Sequence, residues 1–189
     1  KIALARGSKR AGTAICSGEG GLLPAERAEA GVYIYEIGTA PFSWREAAVR
    51  QADAVEIKIG QAAKPGLGGH LPQAKITEEI AAIRGIPRDR DAISPGRPFH
   101  LERPEDLAAT VAQLREWIGG RPVGVKVAAC HIEEDLAIAL AAEPDFITVD
   151  CRGGGTGAGP AFVKDNTCLP PVYAVHRARR FLDQAGSRV

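Results

Sequence analysis

A glycine-rich segment that carries two lysines is the part of the sequence with the clearest capacity for chemistry. It runs from Lys58 to Pro72, KIGQAAKPGLGGHLP, and follows an apolar stretch typical of a β-strand. Its glycines allow the backbone to approach a ligand where a Cβ atom would collide. Lys58 and Lys64 place two positive charges beside that approach, which suits a dicarboxylate or a phosphate. The segment is predicted to bind an anion, although many glycine-rich loops are only turns.

Polar side chains also alternate with apolar ones along three predicted strands. Period-two alternation puts them on one face of each strand, opposite valine and isoleucine side chains. The polar positions are Glu56, Lys58, Lys126, Thr148 and Asp150. Buried charges are costly unless they are paired or used in function. Internal ion pairs are the alternative, but for the whole set we favour a functional site.

Periodicity, caps and turn residues predict five strands that alternate with helices. The strands are predicted at residues 13–16, 32–37, 54–59, 123–128 and 146–150, and the helices at residues 1–12, 43–52, 77–84, 104–118, 133–142 and 173–185. Ser43 and Thr77 are predicted N-caps, Pro104 is predicted to open its helix, and residues 85–103 are predicted to be irregular. Strands separated by helices should be parallel. An open doubly wound sheet and part of a (β/α)₈ barrel both fit, and inward charges near strand ends favour the barrel.

Composition limits the class of protein. The chain has 189 residues, 45% of them hydrophobic, and a net charge of +1, which suits one domain over residues 1–189 and argues against a nucleic-acid partner. No apolar run approaches the roughly 18 residues of a membrane span.

The four cysteines lack disulfide or zinc-finger spacing, so we expect a cytoplasmic protein. Cys16, Cys130 and Cys151 each end a predicted strand; a metal site there, with His131, is conceivable, but we favour three separate small buried side chains.

The sequence also predicts an incomplete barrel. A (β/α)₈ barrel needs about 250 residues and eight strands, and five strands are predicted here. The chain begins at Lys1 and contains no methionine. We therefore expect a fragment.

Five motifs occur in a fixed order over nearly the whole chain: residues 17–21 (SGEGG), 58–72, 93–95 (ISP), 125–127 (VKV) and 154–157 (GGTG). Together, and in this order, they resemble the FMN-binding synthase domain of the glutamate synthase family, in its short stand-alone form. The resemblance implies a (β/α)₈ TIM barrel, of which this chain would supply about the second to the sixth strand. It also implies formation of L-glutamate from 2-oxoglutarate and ammonia, with electrons passed to FMN from an iron–sulfur cluster.

The resemblance further implies roles for individual residues. Lys58, Gln61 and Lys64 would hold the 2-oxoglutarate carboxylates and the imine formed from them, with Lys64 and Glu19 as catalytic residues. Arg84 and His70 would also bind substrate, and Glu19 would lie where ammonia arrives. The residues implied for the cofactor are Lys126, beside the flavin ring, with Asp150, Gly154, Gly155, Thr156 and Gly157. The cluster cysteines and the flavin-phosphate loops would lie after the sixth strand, outside these residues.

The implied partners are a glutaminase domain or subunit that supplies ammonia, and an electron-donor subunit or a ferredoxin. Cys130-His131 and Cys151-Arg152 replace glycine-rich dipeptides of the family. An FMN barrel enzyme that forms N-methylglutamate or another amino acid therefore stays open. A catalytically silent structural module is the remaining alternative.

Overall fold

A five-stranded parallel sheet forms the framework of the computed structural model, which describes residues 1–189. The strands are β1 (Ala14–Cys16), β2 (Val32–Ile37), β3 (Ala54–Lys58), β6 (Val123–Ala128) and β7 (Phe146–Asp150), in the spatial order β1-β2-β3-β6-β7. Every neighbouring pair is parallel. All five predicted strands are present, and the sheet curls as a half-barrel would, consistent with part of a TIM barrel. Which strands of a complete barrel they represent stays a prediction.

The chain forms eight helices: α1 (Ile2–Ala11), α2 (Pro24–Glu29), α3 (Glu46–Val49), α4 (Glu78–Arg84), α5 (Asp106–Trp117), α6 (Ile132–Ala141), α7 (Ala161–Asn166) and α8 (Pro171–Gln184). Of these, α1, α5, α6 and α8 pack against strands of the sheet. The main core holds Tyr35, Ile57 and Val125 from the strands against Val111 and Leu114 of α5, all with no exposed surface. Burying these β-branched and aromatic side chains is what fixes the strand register. A smaller core joins α6 to α8.

Two short strands form a second, antiparallel pair outside the main sheet. They are β4 (His70–Leu71) and β5 (Ala92–Ile93), with His70 opposite Ile93. The prediction that residues 85–103 contain no regular element is therefore wrong at Ala92–Ile93. Two residues carry too weak an alternation signal to predict a strand.

Of three helix starts predicted from capping residues, one is confirmed and two differ in the structure. The Thr77 hydroxyl accepts the amide hydrogen of Ile80, 3.2 Å away, as predicted for the start of α4. Ser43 instead ends a 3₁₀ turn (Pro41–Ser43), and its hydroxyl accepts from the amide of Gly38. Pro104 lies two residues before α5, whose start is stabilised by the Asp106 carboxylate.

α2 and α7 have six residues each and were not predicted, because so short a segment shows little periodicity.

No helix combines the length and the apolar character needed to cross a lipid bilayer.

Candidate active site

Polar side chains from four neighbouring strands meet on the face of the sheet opposite the main core. The register places Glu36 beside Glu56, Lys58 beside Lys126, and Lys126 beside Thr148. Side chains alternate along each strand, so residues two apart point the same way. We call this surface the polar face; it carries Glu36, Glu56, Lys58, Lys126, Thr148 and Asp150. The predicted alternation is confirmed, and the face ends at the carboxyl edge of the sheet.

Ion pairs connect the polar face. The ammonium of Lys126 pairs with Glu36 and lies 3.5 Å from Oε1 of Glu56. The Thr148 hydroxyl donates to Glu56. Burial raises the pKa of the Glu56 carboxyl, although Thr148 and Lys126 oppose that shift. Burial alone would lower the pKa of Lys126, but the two carboxylates outweigh it and raise that pKa.

Lys58 connects the polar face to the segments that follow β1 and β3. Its Nζ donates to Gln61 Oε1 at 3.0 Å and to Glu19 Oε2 at 3.1 Å, and lies 3.9 Å from Glu36. Lys58 itself is 8% exposed. Three of the predicted site residues, Glu19, Lys58 and Gln61, are therefore in direct contact.

Lys64 lies in the segment of residues 59–69, which we call the lysine loop. The residue is 5% exposed, and its Nζ donates to the carbonyl of Gly68 at 2.8 Å. Burial lowers the pKa of the Lys64 ammonium, and Glu19 offsets only part of that effect. At Gly68 an added Cβ would lie 1.7 Å from the carbonyl oxygen of Ser94, so only glycine allows the two segments to touch.

The Glu19 carboxylate is held between two glycine backbones. A Cβ at Gly38 would lie 3.0 Å from Oε2 of Glu19, and a Cβ at Gly69 would lie 3.5 Å from Oε1. With Thr39 and the lysine loop, Glu19, Lys58, Gln61 and Lys64 line one narrow polar cleft. The cleft combines two ammonium groups, one amide and one carboxylate, which can bind a carboxylate ligand and transfer a proton.

Asp150 ties the lysine loop to the end of β7. Its Oδ2 accepts the amide hydrogen of Ala62 at 2.9 Å. The following segment, residues 153–159, which we call the glycine loop, contacts the lysine loop, since Gly159 lies beside the carbonyl of Ala63. The amides of Thr156 and Gly157 donate to no group of the chain. A Cβ at Gly154, Gly155 or Gly157 would meet no atom within 4 Å, so this backbone is open to a ligand.

His70 and Arg84 lie outside the cleft. The ring of His70 is exposed, and its Nε2 lies 2.6 Å from Oδ2 of Asp91, the residue before β5. Arg84, at the end of α4, holds its guanidinium 5.6 Å from the centre of the Phe42 ring and close to Gly20. These two residues are therefore not brought together with Lys58 and Lys64.

Glu36 is the main functional candidate that the sequence interpretation missed. It is 3% exposed and contacts both Lys126 and Lys58. The alternation Tyr35-Glu36-Ile37 in β2 is the signal that would have revealed it. Gly38, whose backbone lies against Glu19, gave no comparable signal, and Ser94 entered only as part of the motif at residues 93–95.

The three strand-end cysteines do not converge. The thiol of Cys16 lies 3.9 Å from Glu36, and that of Cys151 donates to the carbonyl of Val149. Cys130 instead contacts Cys168, with 2.8 Å between the sulfur atoms. Ligand atoms of Cys16, Glu36 and Glu56 lie within 4.8 Å of one another, but Lys126 and Thr148 already bind those carboxylates.

Comparison with known proteins identifies the family. The family model described as "Conserved region in glutamate synthase" matches residues 1–189. The chain is 39% identical over 191 residues to the archaeal glutamate synthase [NADPH] of Methanocaldococcus jannaschii, and 38% identical over 189 residues to the archaeal-type glutamate synthase [NADPH] of Thermotoga maritima. Each alignment covers 99% of this chain and 37% of the relative. A glutamate synthase large subunit-like protein of Rhizobium meliloti is 32% identical, over 98% of this chain and 42% of its own length.

The chain thus spans little more than a third of the length of the two glutamate synthases. The matched region contains the whole polar face and both loops. This chain belongs to the glutamate synthase family.

Proposed function

We propose that this chain forms the substrate-binding half of a flavin-dependent glutamate synthase barrel. The reaction would be the reductive amination of 2-oxoglutarate with glutamine-derived ammonia to give L-glutamate. The observation that carries the proposal is the cleft where Glu19, Lys58, Gln61 and Lys64 meet at the carboxyl edge of a parallel sheet. Active sites of (β/α)₈ barrels lie at that edge.

Lys58, Gln61 and Lys64 would bind the substrate carboxylates. In the structure, the Lys58 ammonium donates to Gln61 and the Lys64 ammonium donates to the Gly68 carbonyl. An ammonium group has three donor hydrogens, so each lysine can keep one of these contacts and still donate to a carboxylate. The cleft is narrow, so 2-oxoglutarate would enter only by displacing the self-contacts of these side chains.

Glu19 would act at the carbon that accepts ammonia. Its carboxylate touches Lys58 and is fixed between Gly38 and Gly69. A carboxylate at this position can take a proton from the incoming ammonium group and return one as the carbonyl oxygen leaves as water. Lys64 would stabilise the negative charge that develops on that oxygen.

The glycine loop and the neighbouring polar face would hold FMN. When bound, the flavin supplies the hydride that reduces the imine. The chain offers it the open backbone of Gly154, Gly155 and Gly157 and the unpaired amides of Thr156 and Gly157. Lys126 reaches the same face, but Glu36 and Glu56 already balance its charge. The chain can therefore hold FMN, and its backbone amide donors would contribute more to that binding than Lys126 would. Asp150 would act indirectly, by holding the lysine loop through Ala62.

Partners outside the chain would complete the reaction. A glutaminase domain or subunit would supply ammonia, an iron–sulfur cluster with ligands elsewhere in the protein would carry electrons, and an electron-donor subunit or a ferredoxin would deliver them. His70 and Arg84 would bind substrate only if they move towards the cleft, since His70 now pairs with Asp91. We expect the protein to act in the cytoplasm.

A direct assay tests the proposal. The full-length protein, supplied with 2-oxoglutarate, an ammonium salt and dithionite-reduced methyl viologen, should form L-glutamate. Methylamine in place of ammonium tests the N-methylglutamate alternative in the same assay. Absence of amination with either amine would overturn both the glutamate-forming and the N-methylglutamate-forming proposals.

A further inference from the structure

A pair of cysteines lies where two segments of the chain meet, away from the polar cleft. Cys130 follows β6 and Cys168 precedes α8, so 37 residues lie between them. Their sulfur atoms are 2.8 Å apart, and both residues are half-buried. A disulfide bond has a sulfur separation of about 2.05 Å, so closing the bond needs a movement of less than about 1 Å.

Backbone hydrogen bonds hold the two cysteines in this arrangement. The residue after Cys168, Leu169, donates its amide hydrogen to the carbonyl of Ala129, the residue before Cys130, at 2.9 Å. The carbonyl of Leu169 in turn accepts from the amide of Arg152 at 2.8 Å. Cys168 also has a φ of 60°, which a non-glycine residue adopts only where its surroundings enforce it. The pairing is therefore built by the fold rather than by flexible side chains.

We propose that Cys130 and Cys168 form a thiol–disulfide exchange site that reacts with a small disulfide such as oxidised glutathione. Neither cysteine lines the polar cleft, and the exchange chemistry does not require the reaction proposed for that cleft. Forming the disulfide would have a structural consequence. It would attach the end of β6 to the base of the segment that carries the glycine loop and α7. The ligand class is a disulfide because the two thiols together can supply both electrons that such a molecule accepts.

The exchange proceeds in two balanced steps. The Cys130 thiolate attacks one sulfur of the small disulfide, forming a mixed disulfide and releasing one small thiolate. The Cys168 thiol then loses its proton to solvent and attacks the Cys130 sulfur, which forms the internal disulfide and releases the second small thiolate. Overall, two protein thiols are oxidised to one disulfide and the small disulfide is reduced to two thiols. Burial, together with the hydrogen bond from Cys130, raises the pKa of the Cys168 thiol. The Cys168→Ser variant tests this order of attack.

The test uses the full-length protein incubated with oxidised glutathione, blocked with N-ethylmaleimide and mapped by mass spectrometry. We expect a peptide pair joined through Cys130 and Cys168, lighter by two hydrogens than the two free peptides and separated by dithiothreitol. Cys16 and Cys151 should carry N-ethylmaleimide. In the oxidised protein, amide hydrogen exchange in residues 152–168 should slow severalfold.

Serine variants distinguish the two steps. Cys168→Ser should retain a stable glutathione adduct on Cys130, because the second thiol is missing, whereas Cys151→Ser should form the internal disulfide normally. If a variant does not fold, mapping of the parent protein alone decides the question. N-ethylmaleimide on both Cys130 and Cys168 after oxidation, a persistent glutathione adduct in the parent protein, or a disulfide that includes Cys151 would each overturn the proposal.

Discussion

Replacing Lys64 with alanine is the sharpest test of the proposed cleft. The side chain is buried, and one of its three donor hydrogens is used by the Gly68 carbonyl, which leaves two for a carboxylate or for the developing oxyanion. Removing one charged donor that acts mainly in the transition state costs on the order of 3 kcal/mol, or about 100-fold in rate. We therefore expect Lys64→Ala to lower kcat/KM for glutamate formation by about two orders of magnitude.

The same substitution should also affect folding, to a smaller and separable extent. It leaves the Gly68 carbonyl without its partner, which costs about 1–2 kcal/mol in the free energy of unfolding. For a domain of this size that corresponds to a fall in melting temperature of roughly 3–6 °C. Assays at 25 °C, well below the transition, would then report the loss of rate alone.

Lys75→Ala is the matched control. Lys75 ends a 3₁₀ turn a few residues after the lysine loop and is exposed, with no hydrogen bond from its side chain in the structure. Glutamate formation by this variant should stay within about twofold of the parent, since surface substitutions change stability by about 0.5 kcal/mol or less. Near-normal turnover in Lys64→Ala, or loss of turnover in Lys75→Ala, would refute the placement of the cleft.

Three further predictions concern the cleft and the polar face. The first is that Gly38→Ala, whose Cβ would lie 2.9 Å from the Cβ and 3.0 Å from Oε2 of Glu19, should lower the ammonia-dependent rate about tenfold by displacing Glu19, whereas Gly7→Ala, with open space around its Cβ, should not. Second, Glu36→Gln removes a buried charge that balances Lys126 and should lower the free energy of unfolding by about 3 kcal/mol in a denaturant titration; Glu46→Gln, in an exposed pair with Arg50, should change it by less than about 0.5 kcal/mol. Third, burial lowers the pKa of Lys64 below 10.5, so at a fixed concentration of NH₃ the rate should begin to fall before the pH reaches 10.5 as the pH is raised, because the ammonium loses its proton. Lys64→Arg, which stays charged, should not show that fall. An unchanged alkaline limb in Lys64→Arg would contradict the role given to the ammonium.

The sheet could be predicted from the sequence because its signals are local. Val55 and Ile57 alternate with Glu56 and Lys58 within a few residues, and burial of the apolar pair fixes which way the charged pair points. The β4–β5 pair could not be predicted in the same way. It depends on contacts between His70 and residues more than twenty positions away, and no short-range pattern encodes them.

The candidate site was predictable in its residue types but only partly in its geometry. Glu19 and Lys58 are 39 residues apart, and their contact depends on two glycine backbones, Gly38 and Gly69, closing around the carboxylate. Arg84 was assigned from resemblance alone, and its guanidinium stacks on Phe42 instead of reaching the cleft. Nothing in the sequence indicates that Lys64 is buried, because burial results from the close approach of the lysine loop to Ser94 at Gly68.

The charges of the polar face and of the adjoining cleft require an explanation other than stability. Three carboxylates (Glu19, Glu36, Glu56) lie near three ammonium groups (Lys58, Lys64, Lys126), and all but Glu19 and Lys126 are less than a tenth exposed. Burying such pairs recovers little free energy, because desolvation offsets most of the Coulomb attraction, and apolar side chains of similar size would hold the sheet as well. What apolar side chains could not provide is a set of donors fixed in place before a charged ligand arrives. Fixed donors stabilise developing charge without the cost of reorienting at the moment of reaction, and this is the property that binding and reducing an oxo-acid would require.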